Sequence, residues 1–82
     1  MSAPSVQIIG ANNVWIHTEE GTYCQSYSTI VALQRKDGSF TLAKAWDCSR
    51  TTAKHVSYFV GRPAAEIRKA IKAGEIEVVE VL

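Results

Sequence analysis

The sequence lacks the features that mark membrane, secreted and disulfide-rich proteins. No run of apolar residues approaches the ~20 that a membrane-spanning helix needs, so we expect no membrane anchor. Residues 1–4 lead directly into β-rich sequence, without the basic segment and apolar core of a secretion signal. The two cysteines, Cys24 and Cys48, are too few for a disulfide framework. We therefore expect a cytoplasmic protein in which both thiols stay reduced.

The common catalytic and cofactor motifs are also missing. There is no glycine-rich phosphate loop, no paired-carboxylate signature and no Gly-x-Ser-x-Gly motif. Cys48 and His55 lie seven positions apart, too far for a nucleophile–base pair unless the helix entry folds back. Four soft ligands would suit zinc, but no two of them form the usual tight pair: His17, Cys24, Cys48 and His55. We expect no enzyme activity, no catalytic residue, no metal and no cofactor.

What the sequence does contain is typical of one small globular domain over residues 1–82. Hydrophobic residues make up 46% of the chain, too many for a disordered protein. A chain of 82 residues can bury only a small core. Oligomerisation is a common remedy, and a homodimer stays open as an alternative to a monomer.

The net charge of +1 conceals a separation of charge along the chain. Residues 35–72 carry all nine lysines and arginines and only three acids, a net charge of +6. Residues 1–34 carry −2 and residues 73–82 carry −3. A basic middle could bind nucleic acid or another anion. Alternatively, folding places the acidic ends beside the basic middle, and the charges only solvate the surface.

The first half of the chain has the composition and alternation of β-strands. Runs at 6–9 and 14–18 suggest a hairpin, and residues 22–34 form a strand so long that we expect a bend near residues 26–28. Asp37-Gly38 separates this run from residues 40–46, and Asp-Gly is a strong hairpin signal because glycine tolerates positive φ.

The hydrophobic period then changes from two to about 3.6 residues. One apolar stripe predicts a helix that ends before Gly61, and a second predicts a helix that begins after Pro63 and ends before Gly74. Residues 75–82 read as a final strand. The order β-β-β-β-α-α-β predicts an α+β fold: an antiparallel sheet of four to five strands with two short helices on one face.

The segment 48–59 gathers the chemically useful groups. Ser49, Thr51 and Thr52 are candidate caps of the first helix, and a helix start can bind anions. Arg50 and Lys54 add positive charge there. The predicted anion- or partner-binding set is Ser49, Arg50, Thr51, Lys54 and His55. The alternative is ordinary helix capping, with His55 hydrogen-bonded inside the fold and the basic residues solvated.

Two blocks of the chain resemble a known pattern. Residues 26–32 read Ser-Tyr-Ser-Thr-Ile-Val-Ala, and residues 46–56 read Trp-Asp-Cys-Ser-Arg-Thr-Thr-Ala-Lys-His-Val. Together they resemble a small uncharacterised domain of phage, bacterial and archaeal proteins, with the pattern Ser-Tyr-x-Thr-x-Val-Ala followed by Ser-x-Thr-Thr-x-x-His. The resemblance covers about residues 22–60, and Cys48 stands where the pattern has an aromatic residue. It implies a phage-type accessory protein and assigns no catalytic residue.

These observations favour a non-catalytic interaction module, a phage or mobile-element accessory protein that binds and inhibits a host or defence protein in the host cytoplasm. The alternative is a nucleic-acid-binding protein that uses the basic segment 35–72, with Trp46, Tyr27 and Arg50 as a stacking platform. The resembling motif also has a structural interpretation: a polar cluster of Tyr27, Thr29 and Thr52, with Ser49 and His55, that fixes the first helix to the sheet.

Overall fold

A six-stranded sheet carries the fold in the computed structural model, which describes residues 5–82. The strands follow one another in space in sequence order, and every neighbouring pair is antiparallel except the last, which is parallel. The strands are β1 (Ser5–Gly10), β2 (Asn13–His17), β3 (Gly21–Ser26), β4 (Thr29–Arg35), β5 (Phe40–Ala43) and β6 (Glu77–Val79). A 3-10 helix (Lys44–Asp47) and the helices α1 (Arg50–Val60) and α2 (Ala64–Lys72) connect β5 to β6. The α+β class, the mostly antiparallel sheet and the two helices are as the sequence predicts.

The predicted strand count of four to five was too low, because residues 22–34 form two strands rather than one bent strand. The chain reverses at Tyr27 and Ser28, so that β3 and β4 pair with each other. Tyr27 has φ 57°, and hairpin turns usually have glycine at a position with this conformation. The Tyr27 N–H donates to the Asn12 carbonyl at 2.8 Å, a contact from the neighbouring hairpin that supports this turn.

The last strand is much shorter than the predicted run of residues 75–82. It pairs in parallel with β5 over three residues and forms one edge of the sheet. The parallel direction follows from the two helices, which carry the chain back to the end of the sheet where β5 began. Because β5 ends at Ala43, where the 3-10 helix begins, β6 can form only a few backbone hydrogen bonds with it.

The Asp-Gly turn forms where the sequence predicts it. The Arg35 N–H donates to the Ser39 carbonyl at 2.8 Å, and Gly38 has φ 91°. One Asp37 carboxylate oxygen accepts from the Ser39 hydroxyl at 2.7 Å and from its N–H at 2.9 Å. These two bonds favour the ionised carboxylate and lower the pKa of Asp37 from its ordinary value.

The helices cover one face of the sheet and enclose the core there. Strand pairing aligns one row of side chains on this face: Gln7, Trp15, Cys24, Ala32, Leu42 and Val78. Its central members join Val56, Phe59 and Ile67 of the helices in one buried cluster. A register shift opposite Cys24 and Gln25 leaves Val31 without a partner, and both Val31 and Ala32 are buried as a result.

Both helices begin and end at residues that the sequence marks. The Ser49 side chain caps α1, and Gly61 ends it in the left-handed conformation at φ 83°. Pro63 precedes the first turn of α2. The buried positions of the helices, Thr52, Val56, Phe59, Ile67 and Ala70, all belong to the predicted stripes. Neither helix is long and apolar enough to cross a membrane.

Candidate functional site

The start of α1 is joined to the end of β3 by a cluster of three hydroxyls and one imidazole. The Ser49 Oγ accepts from the Thr52 N–H at 3.1 Å, which is the bond of an N-terminal cap. The same Ser49 hydroxyl lies 3.1 Å from Thr52 Oγ1. From the sheet side, Ser26 Oγ lies 3.3 Å from Thr52 Oγ1 and 2.7 Å from His55 Nδ1. We call these four residues the hydroxyl–histidine cluster.

The hydrogen bonds of this cluster can form with the ring proton of His55 on either Nδ1 or Nε2. The Ser26 hydroxyl has one proton and two oxygen or nitrogen neighbours, so it can donate to only one of them. If it donates to Thr52 Oγ1, the Nδ1–H of His55 donates to Ser26. If it donates to His55 Nδ1, the ring is the neutral tautomer with its proton on Nε2. A serine hydroxyl is therefore a suitable partner for either tautomer of His55.

Burial distinguishes the cluster from a nucleophile–base pair. Serine and histidine at 2.7 Å have the contact that nucleophilic catalysis requires. However, Ser26 is only 2% exposed and Thr52 only 3%. Within residues 5–82, no carboxylate is hydrogen-bonded to His55 to orient it. The arrangement satisfies buried polar groups and fixes α1 against β3, which is a structural use of these side chains.

The structure separates the residues that the sequence assigned to the polar cluster. Thr52, Ser49 and His55 lie in it, whereas Tyr27 and Thr29 are exposed and lie outside it. Ser26 takes their place as the strand-side hydroxyl. Period-two alternation from the buried Cys24 points Ser26 to the same face, and that signal was present in the sequence.

Tyr27 remains close to the cluster without bonding to it. Its ring centroid lies 6.1 Å from that of His55, and the side chain is more than half exposed. The positive φ of Tyr27 places the aromatic ring beside the helix start at a cost in backbone strain. Tyr27 thus presents an exposed aromatic ring beside His55.

The remaining predicted binding residues lie on the outer surface of α1. Arg50, Thr51 and Lys54 are all exposed in its first turns. No carboxylate in the described part of the chain forms an ion pair with Arg50 or Lys54. The structure therefore places two cations and one hydroxyl beside the helix start, next to the half-buried His55.

Folding offsets part of the charge separation seen along the sequence. Four exposed ion pairs join basic side chains of the middle segment to acids: Lys44–Glu80, Arg62–Glu75, Arg68–Asp47 and Lys69–Glu66, at 3.5–3.9 Å. Exposed pairs of this kind contribute little stability. Two of them, Lys44–Glu80 and Arg62–Glu75, place the acidic end of the chain beside the basic middle. The other two pair basic residues with acids of segment 35–72 itself, so its positive charge is interrupted by carboxylates.

Most of the aromatic residues serve the core rather than a stacking surface. Trp46 is buried, with the Arg68 guanidinium 5.3 Å from its ring centroid. Phe59 packs edge-on against Trp15 and Phe40 at centroid distances of 5.3 and 5.9 Å. Of the predicted stacking platform, Tyr27 and Arg50 are exposed and Trp46 is not.

The two cysteines differ sharply in their surroundings. Cys24 is fully buried, and burial raises the pKa of its thiol to about 12. Cys48 is exposed just before the helix cap. In residues 5–82, no three His, Cys, Asp or Glu side chains form a group that could hold a metal ion.

Thiol labelling should distinguish the two cysteines. At neutral pH we expect a thiol reagent to modify one cysteine in the folded protein and two in denaturant, because the reagent needs an accessible thiolate. Mass spectrometry of the modified peptides checks the assignment to Cys48. Cys48→Ser should leave no rapidly reacting thiol in the native state. Rapid native labelling of that variant would contradict the buried position of Cys24.

The face of the sheet opposite the helices carries a second candidate surface. Strand pairing places Val6 beside Ile16 and Ile8 beside Val14 on this face. Val6 is 64% exposed and Ile8 77%, while Val14 and Ile16 are half-buried. The solvent face of an antiparallel sheet is normally polar, and here four adjacent positions are β-branched and aliphatic. We call these four residues the apolar strip.

The same face is covered at its other end. The Arg35 side chain bonds to Thr41 Oγ1, and Thr41 in turn lies 3.5 Å from the Glu77 carboxylate. Leu33 and Thr41, which are paired neighbours on this face, are only 7% and 1% exposed. The apolar strip on β1 and β2 is thus the uncovered part of this face.

The fold and these surfaces define a small α+β protein in which helices cover one face of the sheet and the hydroxyl–histidine cluster joins the first helix to it. The chain belongs to a family of unknown function, DUF8033, whose family model matches residues 1–76. The resemblance to an uncharacterised small domain is confirmed at this level, and the match extends well beyond residues 22–60 at both ends. No curated protein and no solved structure gave a significant match.

Proposed function

We propose that this protein is a non-catalytic interaction module that binds a protein partner through the open face of its sheet. The observation that carries the proposal is the apolar strip. Exposed apolar patches bordered by polar residues are typical of protein–protein contact sites. Binding there would bury Val6 and Ile8, the two most exposed aliphatic side chains of the strip.

A non-catalytic role agrees with the chemistry of the described residues. In the one close serine–histidine contact of residues 5–82 the serine is the buried Ser26, and the exposed Cys48 has no catalytic partner in the hydroxyl–histidine cluster. The phage or mobile-element origin, the cytoplasmic location and a host or defence protein as the inhibited partner are parts of this proposal that rest on the sequence alone.

Nucleic-acid binding is the second candidate. It is favoured by Arg50 and Lys54, which lie one turn apart on α1 without ion-pair partners among residues 5–82. The exposed Tyr27 ring has its centroid 6.1 Å from that of His55 on the same helix and could stack on a base. The four ion pairs of the middle segment speak against a broad basic surface, so this candidate ranks below the first.

One pair of variants separates the two candidates. Ile16→Glu places a charge within the apolar strip, and the double variant Arg50→Ala/Lys54→Ala removes the free cations. We expect a specific protein retained from host lysate by the wild type to be lost with Ile16→Glu, with affinity reduced by about tenfold or more, and kept by the double variant. Circular dichroism of each variant checks that the fold is intact.

The opposite pattern would favour the second candidate. Binding to single-stranded DNA or RNA that falls steeply with salt, survives Ile16→Glu and is lost in the double variant would replace the proposed protein partner. A retained protein that binds Ile16→Glu as well as the wild type would contradict the role of the apolar strip.

A further inference from the structure

The outer edge of β1 is an unprotected sheet edge. β1 pairs with β2 on one side and, among the described residues, with no strand on the other. Five of its six residues are exposed, and α1 packs over β3 and β4 rather than over β1. Free N–H and C=O groups along such an edge form a ready template for another strand.

The two edges of the sheet are built differently. β6 has only three residues, it begins at Glu77, and Glu80 follows it directly; short length and charge are usual protections of a sheet edge. β1 has six residues and contains neither a charge nor a proline. Its only irregularity is a register shift at its end, between Ile8 and Gly10. One edge is thus guarded against strand addition, and the other is suited to it.

We propose that two copies of this chain associate through their β1 strands, antiparallel about a two-fold axis at Gln7. In this register Gln7 opposes Gln7 of the second copy, and Val6 opposes Ile8 of the second copy on the open face. A register shifted by one residue would place Val6 beside Gln7 and mix apolar with polar positions, which sheets avoid. Dimers with two-fold symmetry need a self-complementary surface, and this register supplies one.

Charge supports a second copy as the occupant of this edge. A two-fold axis brings each residue close to its own equivalent, so any charged side chain near the axis would meet a like charge. From Ser5 to Gly10 there is none. Paired apolar side chains at Val6 and Ile8 instead gain from each other, and the regular part of β1 around Gln7 supplies ladder hydrogen bonds.

This inference does not depend on the proposed function. Edge pairing leaves the open face of both copies uncovered and extends the apolar strip from two strands to four. The protein-partner test uses Ile16 on β2, whereas the dimer test uses β1, so the two can fail separately.

Sedimentation velocity over a broad concentration range tests the association. The mass should rise from 9.0 kDa towards twice that value as the concentration increases. Ile8→Lys should raise the dimer dissociation constant by about tenfold or more, because it breaks two symmetry-related pairs and adds like charges near the axis. Val81→Lys is the matched control, since Val81 is 82% exposed at the other end of the sheet. It should leave the dimer unchanged.

Cysteine cross-linking tests the register in a Cys48→Ser background. Directly opposed residues in an antiparallel pair have Cα atoms ~5 Å apart, within reach of a disulfide. Gln7→Cys should therefore form a disulfide-linked dimer under mild oxidation. Ser5→Cys lies on the same face but ~14 Å from its equivalent in this register, so it should not. A chain that stays monomeric, a dimer insensitive to Ile8→Lys, or equal cross-linking at both positions would overturn the proposal.

Discussion

Replacement of Gly21 by alanine is expected to lower the free energy of unfolding by about 3 kcal/mol or more. Gly21 opens β3 opposite Arg35 and has φ 147°, a conformation that side-chain-bearing residues rarely adopt. A Cβ atom there would lie 2.2 Å from the Gln34 carbonyl oxygen and 3.1 Å from the Arg35 Cα. Both are backbone atoms of β4, so the clash can be relieved only by separating the two strands.

Gly10→Ala provides the matched control for this change. A Cβ at Gly10 meets no atom within 4 Å, and Gly10 also lies in a strand of the same sheet. Urea denaturation should therefore show a large loss of stability for Gly21→Ala and a change within about 0.5 kcal/mol for Gly10→Ala. Equal stabilities of the two variants would show that β3 and β4 do not approach each other as closely as described.

Thr52→Val is the second change with a large expected effect, about 2 kcal/mol of lost stability. Valine has nearly the shape of threonine, so core packing is kept while Oγ1 is lost. Oγ1 is the common neighbour of the Ser26 and Ser49 hydroxyls. Ser26 Oγ then keeps only His55 Nδ1, and Ser49 Oγ keeps only the Thr52 N–H. Two hydrogen bonds at the helix start are lost, each contributing about 1 kcal/mol.

Thr51→Val is the control, because it makes the same substitution one residue earlier on an exposed face of α1. Denaturant unfolding should show a change within about 0.5 kcal/mol for this variant. If Thr52→Val is equally harmless, the hydroxyl–histidine cluster does not join α1 to β3. A loss in both variants would instead indicate a cost of valine in the first turn of α1 that does not depend on the cluster, since valine has one preferred χ1 rotamer in a helix where threonine has two.

Local chemistry made several elements predictable. Asp37-Gly38 forms its turn because the carboxylate bonds within the turn and glycine accepts positive φ. The helices could be placed because Ser49, Gly61 and Pro63 start or end a helix through interactions with residues only a few positions away. Their buried stripes follow from the 3.6-residue period alone.

The prediction of one long strand at residues 22–34 was wrong because a contact from a distant part of the chain overrides the local backbone preference. A tyrosine does not favour positive φ, and the turn at Tyr27 is supported by the Asn12 carbonyl from another hairpin. The bulge at Val31 turns two successive residues into the core, which breaks the alternation on which strand prediction depends. The same turn decided that Ser26, rather than Tyr27 or Thr29, meets Thr52.

The charge pattern shows the same limit on a larger scale. Residues 35–72 are strongly basic as a segment, yet Glu75 and Glu80 return to Arg62 and Lys44 when the chain folds. Sequence separation therefore misrepresents the surface potential, which depends on distance in space. Arg50 and Lys54 are the members of the predicted binding set that keep free charges beside the helix start.

The amino-acid sequence by itself determined the α+β class, the two capped helices, the Asp-Gly hairpin and the hydroxyl-rich helix start between Cys48 and Phe59. These features depend on interactions over a few residues, which the order of side chains specifies directly. Only the tertiary structure decided that Ser26 completes the cluster, that two acids near the chain end pair with the basic middle, and that β1 and β2 leave an apolar strip uncovered. Each of these depends on contacts between segments far apart in the chain, and the packing of the whole sheet selects them.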